Sequence, residues 1–180
     1  MPSNIEIKAR VPNPKRFREV ANELSSTRTT LKQEETFFAC PKGRLKLRTF
    51  PEGIGELIYY ERPDETGPKC SQYWISKTRE PDTLLLTLRN ALGDIGVVRK
   101  TRELFLVGQT RIHLDDVEGL GVFAELEVVM KDGQIFDDGK AIAEDLMQKL
   151  GIKETDLVDG AYIDLITEEK AINRMHPMNR

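Results

Sequence analysis

A chain of 180 residues, 39% hydrophobic and 32% charged, is long enough for one sizeable core and too short for two, and it is too apolar to be disordered. Its net charge of -3 argues against nucleic-acid binding by bulk electrostatics. The longest apolar run, Leu84 to Leu86, cannot span a membrane, no apolar leader begins the chain, and the widely spaced Cys40 and Cys70 fit neither a zinc site nor a disulfide framework, so a soluble cytoplasmic protein is expected.

The first element is Asn4 to Val11, where polar or charged even positions alternate with apolar odd ones, the period of a β-strand. Asn13-Pro14 reads as a helix cap and first helical residue, and Phe17, Val20, Ala21 and Leu24 carry the helix to about Leu24. Thr27 to Cys40 is Thr- and Phe-rich and predicts a second strand. After a turn at 41–43, Arg44 to Arg48 places three cations on one face and two leucines on the other. A turn at 51–55 leads into a strand over Glu56 to Arg62, and 63–68 is a loop. Ser71 to Lys77 predicts a further strand, with Tyr59, Tyr60 and Tyr73 read as packing residues.

Pro81-Asp82 opens a helix with Leu84, Leu85, Leu88 and Leu92 on one side, stopped by Gly93. Val97 to Val107 carries Lys100 and Arg102 on one face, and Arg111 to Asp115 alternates charged against apolar. Phe123 to Met130 sets Glu125 and Glu127 opposite Ala124, Leu126 and Val128. A third amphipathic helix is predicted from Asp137 to Leu150, then a short helical turn at 155–158 and a short element at 162–166. Residues 168–180 form a polar tail on a single domain of residues 1–167. The sum is about eight strands and three helices with short, antiparallel-type connections, an α+β fold.

On these faces the bases are Lys8, Arg10, Lys46, Arg48, Arg62, Lys100, Arg102 and Arg111, and the acids are Glu6, Asp115, Glu125 and Glu127. An open sheet with one solvated face would house them. So would a closed antiparallel barrel with its helices outside and its charges turned inward, provided that counter-ions fill it: a polyphosphate for the bases and a divalent cation for the acids. Parity turns Glu61 away from the charged face. His113 shares a face with Arg111 and Asp115, as a substrate contact or a wall residue.

Asn4-x-Glu6-x-Lys8 resembles the Glu-x-Glu-x-Lys signature of the CYTH family, the triphosphate tunnel metalloenzymes, which includes class IV adenylyl cyclases, thiamine triphosphatases and inorganic triphosphatases. The likeness continues in order through Gly43–Arg48, Leu57–Pro63, Lys100-Thr101-Arg102, Arg111–Gly121 and Glu125-Leu126-Glu127, and reaches Tyr162–Leu165. It implies an eight-stranded antiparallel barrel forming a tunnel for a triphosphate and a divalent cation, Mg2+ or Mn2+. By the same resemblance Glu6, Glu125, Glu127 and Asp115 are metal ligands. Lys8, Lys46, Arg48, Arg62, Lys100, Arg102 and Arg111 bind phosphate, and Lys8, Arg48 and Arg111 are the catalytic cations. One position departs: Asn4 stands where the signature has its first Glu, leaving an amide oxygen without charge.

The activity so implied is metal-dependent hydrolysis of a small triphosphate-containing substrate, without nucleic acid or membrane, by a monomer or homodimer. The class IV cyclases carry a His-Phe pair ahead of the signature, whereas Met1-Pro2-Ser3 precedes it here, so conversion of ATP to cyclic AMP is the second expectation. A non-catalytic polyphosphate- or nucleotide-binding module is the third.

Overall fold

Alternation along the chain becomes a closed barrel in the computed structural model, which describes residues 2–175. Its strands are β1 (Ser3–Arg10), β2 (Thr27–Phe38), β3 (Arg44–Thr49), β4 (Gly55–Glu61), β5 (Lys69–Thr78), β6 (Asp94–Val107), β7 (Thr110–Val117) and β8 (Gly121–Val129). They close in the order β1-β5-β4-β3-β2-β6-β7-β8, every neighbouring pair antiparallel. The helices are α1 (Pro14–Leu24), α2 (Pro81–Leu92), α3 (Phe136–Leu150) and α4 (Tyr162–Met175). The open-sheet alternative is therefore excluded. No helix among the described residues is long and apolar enough to cross a membrane.

Parity explains which face turns in. On β1, Ile5 and Ile7 point out of the barrel into a core shared with Phe17 and Ala21 of α1 and Ala143, Leu146, Met147 and Leu150 of α3, and Ala9 on the same face is buried. Burying each such isoleucine contributes roughly 1.5–3 kcal/mol, so a one-residue slip of β1 would exchange that gain for charges facing the helices. Gly139 lets α3 lie this close: a Cβ there would meet Ile5 Cγ1 and Met130 Sδ at 2.5 Å. Asn13 caps α1, its Oδ1 accepting from Arg16 N at 3.1 Å, and Gly151 ends α3 in the left-handed conformation. Helix α2 lies against β2 and β3 and buries only Pro81, less than its leucine stripe predicts.

The C-terminal segment corrects two sequence expectations. The element at 162–166 is the start of a longer helix, and the polar stretch from 168 continues it to Met175; the rest of the expected tail lies outside the described residues. Good helix formers such as Glu168, Glu169, Lys170 and Ala171 hold a helix on an exposed surface without an apolar stripe. The segment before α4 crosses one end of the barrel. Leu157 bridges to Ala9, Val158 N donates to the Lys8 carbonyl, and Ala161, Tyr162 and Ile163 pack on Phe37, Val98, Val117 and Phe123. One end of the barrel is thereby closed.

Candidate active site

The inward faces enclose a cavity of about 300 Å³. Lys8, Lys46, Arg48, Arg62, Lys100, Arg102 and Arg111 line it, with the acids Glu6, Glu35, Glu56, Glu125 and Glu127. All seven cations expected from the sequence thus meet in one lumen, as do three of the four expected acids. Side-chain exposure rises from 2% at Lys100 and 3% at Lys8, through 13% at Lys46, to 36% at Arg111. The cavity is therefore deepest beside Tyr162 and opens at the Arg111 end.

One wall is acidic. Cross-strand register places Glu6 beside Glu127, and Lys8 and His113 beside Glu125. Burial and repulsion from Glu127 and Glu125 push the Glu6 carboxyl up, against the opposing pull of Arg62, whose Nη1 donates to it at 3.0 Å. Burial would raise Glu125 as well, but Lys8 (3.3 Å), His113 and Arg102 (3.2 Å) outweigh it and hold that carboxyl well below the usual range. Within the Lys8–Glu125 pair the ammonium is nonetheless pushed down, because burial acts on it first and Arg62 and Lys100 repel it while only Glu125 draws it up. Glu127 is held down by His113, Arg111 and Arg102 against burial, and Arg111 Nε donates to it at 2.8 Å. Three crowded carboxylates, one of them resisting ionisation, fit a divalent cation, which would remove the repulsion.

The opposite wall is cationic and holds an acid that the sequence reading overlooked. Glu35 on β2 is buried and receives Lys46 Nζ (2.8 Å), Arg48 Nη2 (2.7 Å) and Lys100 Nζ (3.2 Å). These cations hold its carboxyl well below the ordinary range in spite of burial. Face parity from Leu31 through Gln33 and Glu35 to Phe37 is the signal for it, masked by the Thr- and Phe-rich composition of the strand. Tyr162 was also missed. Its hydroxyl donates to Asp115 at 2.9 Å, and Lys8 Nζ lies 4.0 Å from its ring centroid.

Asp115 is placed differently from the expected ligand. It is fully buried and does not line the cavity; Arg102 Nε and Nη2 donate to its two oxygens at 2.7 and 2.6 Å, and Tyr162 adds a third bond. A fork-matched guanidinium satisfies both oxygens, so Asp115 orients Arg102. Asn4 lines the open half of the cavity, its Oδ1 accepting from Arg111 Nη2 and its Nδ2 donating to the Ser3 carbonyl, both at 3.2 Å with the amide assigned to satisfy its partners. Glu61 bonds outward with Lys42 and Tyr59, as parity requires.

Burial pushes the Lys46 ammonium down to about 7, although Glu35 opposes the shift. Its folded pKa lies below its unfolded one, so above neutrality the free protein has partly lost this proton, and an anion bound beside it draws the proton back. Binding of inorganic tripolyphosphate at about pH 8 is expected to take up protons, read by calorimetry in buffers of different ionisation enthalpy. Lys46→Met is expected to reduce the uptake; equal uptake by the variant would rule Lys46 out as the source.

Comparison with known proteins agrees with this architecture. The family model described as CYTH domain matches residues 3–162. Adenylate cyclase CyaB of Aeromonas hydrophila is 25% identical over 149 residues, 78% of this chain and 75% of its own length. A Methanocaldococcus jannaschii protein provisionally named an adenylate cyclase is 31% identical over 110 residues, 55% of this chain and 61% of its own. A solved structure from Pyrococcus horikoshii superimposes with a TM-score of 0.78 at 26% identity, covering 90% of this chain and 98% of that one.

Proposed function

The chain belongs to the CYTH domain family, whose members act on triphosphates, and from that premise we propose that it hydrolyses a triphosphate in a divalent-metal-dependent reaction within the lumen. The observation that carries this reading is the size and charge of the cavity. Its volume of about 300 Å³ lies at the lower bound of ligand pockets, roughly 300–1,000 Å³, and seven cations and five acids stand in its wall. Such a space suits a polyphosphate chain and leaves a larger substituent at the mouth, where Tyr73, Phe50 and Ile75 stand.

In this reading Lys8, Arg62 and Lys100 hold the leading phosphate at the closed end. Lys46, Arg48 and Arg102 grip the middle of the chain, and Arg111 meets the outer part. Glu6, Glu125 and Glu127 would hold the cation, Mg2+ or Mn2+, which when bound neutralises charge on the phosphate oxygens. A water oxygen bonds to the terminal phosphorus as the phosphoanhydride P–O bond opposite it breaks. The electron pair leaves with the diphosphate part of the chain; one proton of the water stays on the orthophosphate formed and the other passes to the departing diphosphate oxygen. Charge gathering on the departing oxygens is stabilised by fixed guanidinium and ammonium groups, which need no reorganisation during the reaction.

A second reading has its own support. Both curated relatives carry the adenylate cyclase name, and in a cyclase the ribose 3′ oxygen would attack the α-phosphorus and release pyrophosphate. Incubation with tripolyphosphate, thiamine triphosphate and ATP, each with Mg2+ or Mn2+, separates the readings. Orthophosphate release is expected; cyclic AMP from ATP without orthophosphate would replace hydrolysis with cyclisation, and no product from any of the three leaves a binding module.

Position 4 offers a graded test of the acidic wall. Asn4→Glu adds a carboxylate next to Glu6 and Glu127 and is expected to tighten Mn2+ binding roughly tenfold, measured by titration without substrate. An unchanged affinity would place residue 4 outside the ligand set.

A further inference from the structure

The inward polar side chains of β7 are Arg111, His113 and Asp115, and two of them have side-chain hydrogen-bond partners. Arg111 bonds Glu127 and Asn4, and Asp115 bonds Arg102 and Tyr162. His113 differs. It is 3% exposed, it lines the cavity, and its Nδ1 has no hydrogen-bond partner among the described residues. Its nearest charged neighbours are Glu125 Oε2, 3.8 Å from Nδ1, and Glu127 Oε2, 3.9 Å from Nε2.

A histidine that served only to brace these carboxylates would sit at hydrogen-bonding distance, about 2.8–3.0 Å. Buried polar groups are ordinarily paired, so an imidazole held between two acids and bonded to neither calls for a missing partner. The separations suit one cation. One ligand atom each from His113, Glu125 and Glu127 lies within 4.8 Å of the others. A single ion takes one of the two ring nitrogens, and ligand atoms at about 2.0–2.2 Å from a shared ion stand roughly 3–4 Å apart, so the widest separation closes slightly when the ion binds. The neighbouring Asn4 accepts from Arg111, so an uncharged amide stands where a further acid would have strengthened the hard-oxygen character of the wall.

We propose that His113 supplies a nitrogen ligand beside Glu125 and Glu127, which makes this site selective for first-row transition ions such as Mn2+ over Mg2+. The chemistry follows from ligand type: Mg2+ is met by oxygen donors and retained waters, whereas imidazole donation adds affinity for ions with accessible d orbitals. This inference rests on the reading that a cation occupies the acidic wall, and it adds the identity of a ligand and the class of ion.

The test uses the whole chain and Mn2+ alone, without substrate. Pulsed electron paramagnetic resonance of the bound Mn2+ is expected to show nitrogen modulation from a coordinated imidazole, absent in His113→Ala. Mg2+ is expected to displace Mn2+ from that variant at least about tenfold more readily than from the native chain, a scale reached even by changes outside the ligand shell. His113→Gln, which preserves bulk and polarity, gives the same comparison if the alanine variant does not fold. Bound Mn2+ without nitrogen modulation, or modulation that survives in the variants, overturns the proposal and leaves the carboxylate site standing. Failure of the native chain to bind Mn2+ at all overturns the carboxylate site and the histidine ligand together.

Discussion

Glu127→Ala is expected to cut metal-dependent phosphate release by at least about a hundredfold while leaving the barrel folded. Glu127 faces Glu6 across the β1–β8 register and lies against His113 and Arg111, so it stands where the acidic wall and the outermost cation of the phosphate path meet. On the proposed reading its removal would take away one cation ligand, and it leaves Arg111 bonded to Asn4 without its carboxylate partner. It also relieves the repulsion that helps push the Glu6 carboxyl up. The metal-free variant should therefore melt no earlier than the native chain. Circular dichroism and melting give the structural control, and phosphate release with Mg2+ or Mn2+ gives the functional one. Undiminished turnover would strike Glu127 from the ligand set.

Glu35→Gln is expected to be the most destabilising single change in the lumen, costing about 3–5 kcal/mol at neutral pH. The carboxylate is buried against Lys46, Arg48 and Lys100, and removing it leaves three clustered cations with far less compensation. Because the folded pKa of Glu35 is depressed, its stabilisation is complete above the usual carboxylate range and is lost as pH falls through its folded pKa. The native and variant chains should accordingly converge in acid. Denaturant unfolding reads the difference, and tripolyphosphate should restore much of the loss by occupying the same cations. A variant as stable as the native chain at neutral pH would show that water and rearranged side chains suffice to screen the cluster.

Sequence alternation sorted the two faces well because parity is strict, while closure into a lumen came from the family resemblance: once the odd positions of β1 face the helices, Asn4, Glu6 and Lys8 have only one other direction available. The same rule placed the cations of β3, β6 and β7, and Arg62 just beyond the end of β4. What parity could not reveal is which charges compensate one another across the barrel, because pairing depends on closure and register. Asp115 alternates like a ligand, yet the facing Arg102 and the distant Tyr162 take up its oxygens. Closure of one end by residues 157–163 had no local signature either; it arises from contacts of Ala161, Tyr162 and Ile163 with strand ends far away in sequence. The polar sequence after 167 carries no apolar stripe to announce a helix, yet its helix-forming residues continue α4 to Met175.

Among the described residues the barrel is closed at the Tyr162 end and opens at the Arg111 end, and this constrains traffic. Gly160 caps the bottom by accepting from both Lys8 and Arg62, so only the tip of a phosphate chain reaches those cations. A long polyphosphate would be trimmed from its ends and never cut in the middle. Orthophosphate, freed at the bottom, would remain behind the longer fragment until that fragment had departed. It would then be the last product out, and steady-state inhibition should show it competing with substrate while the longer product does not; the reverse pattern would mean that a second exit opens during turnover.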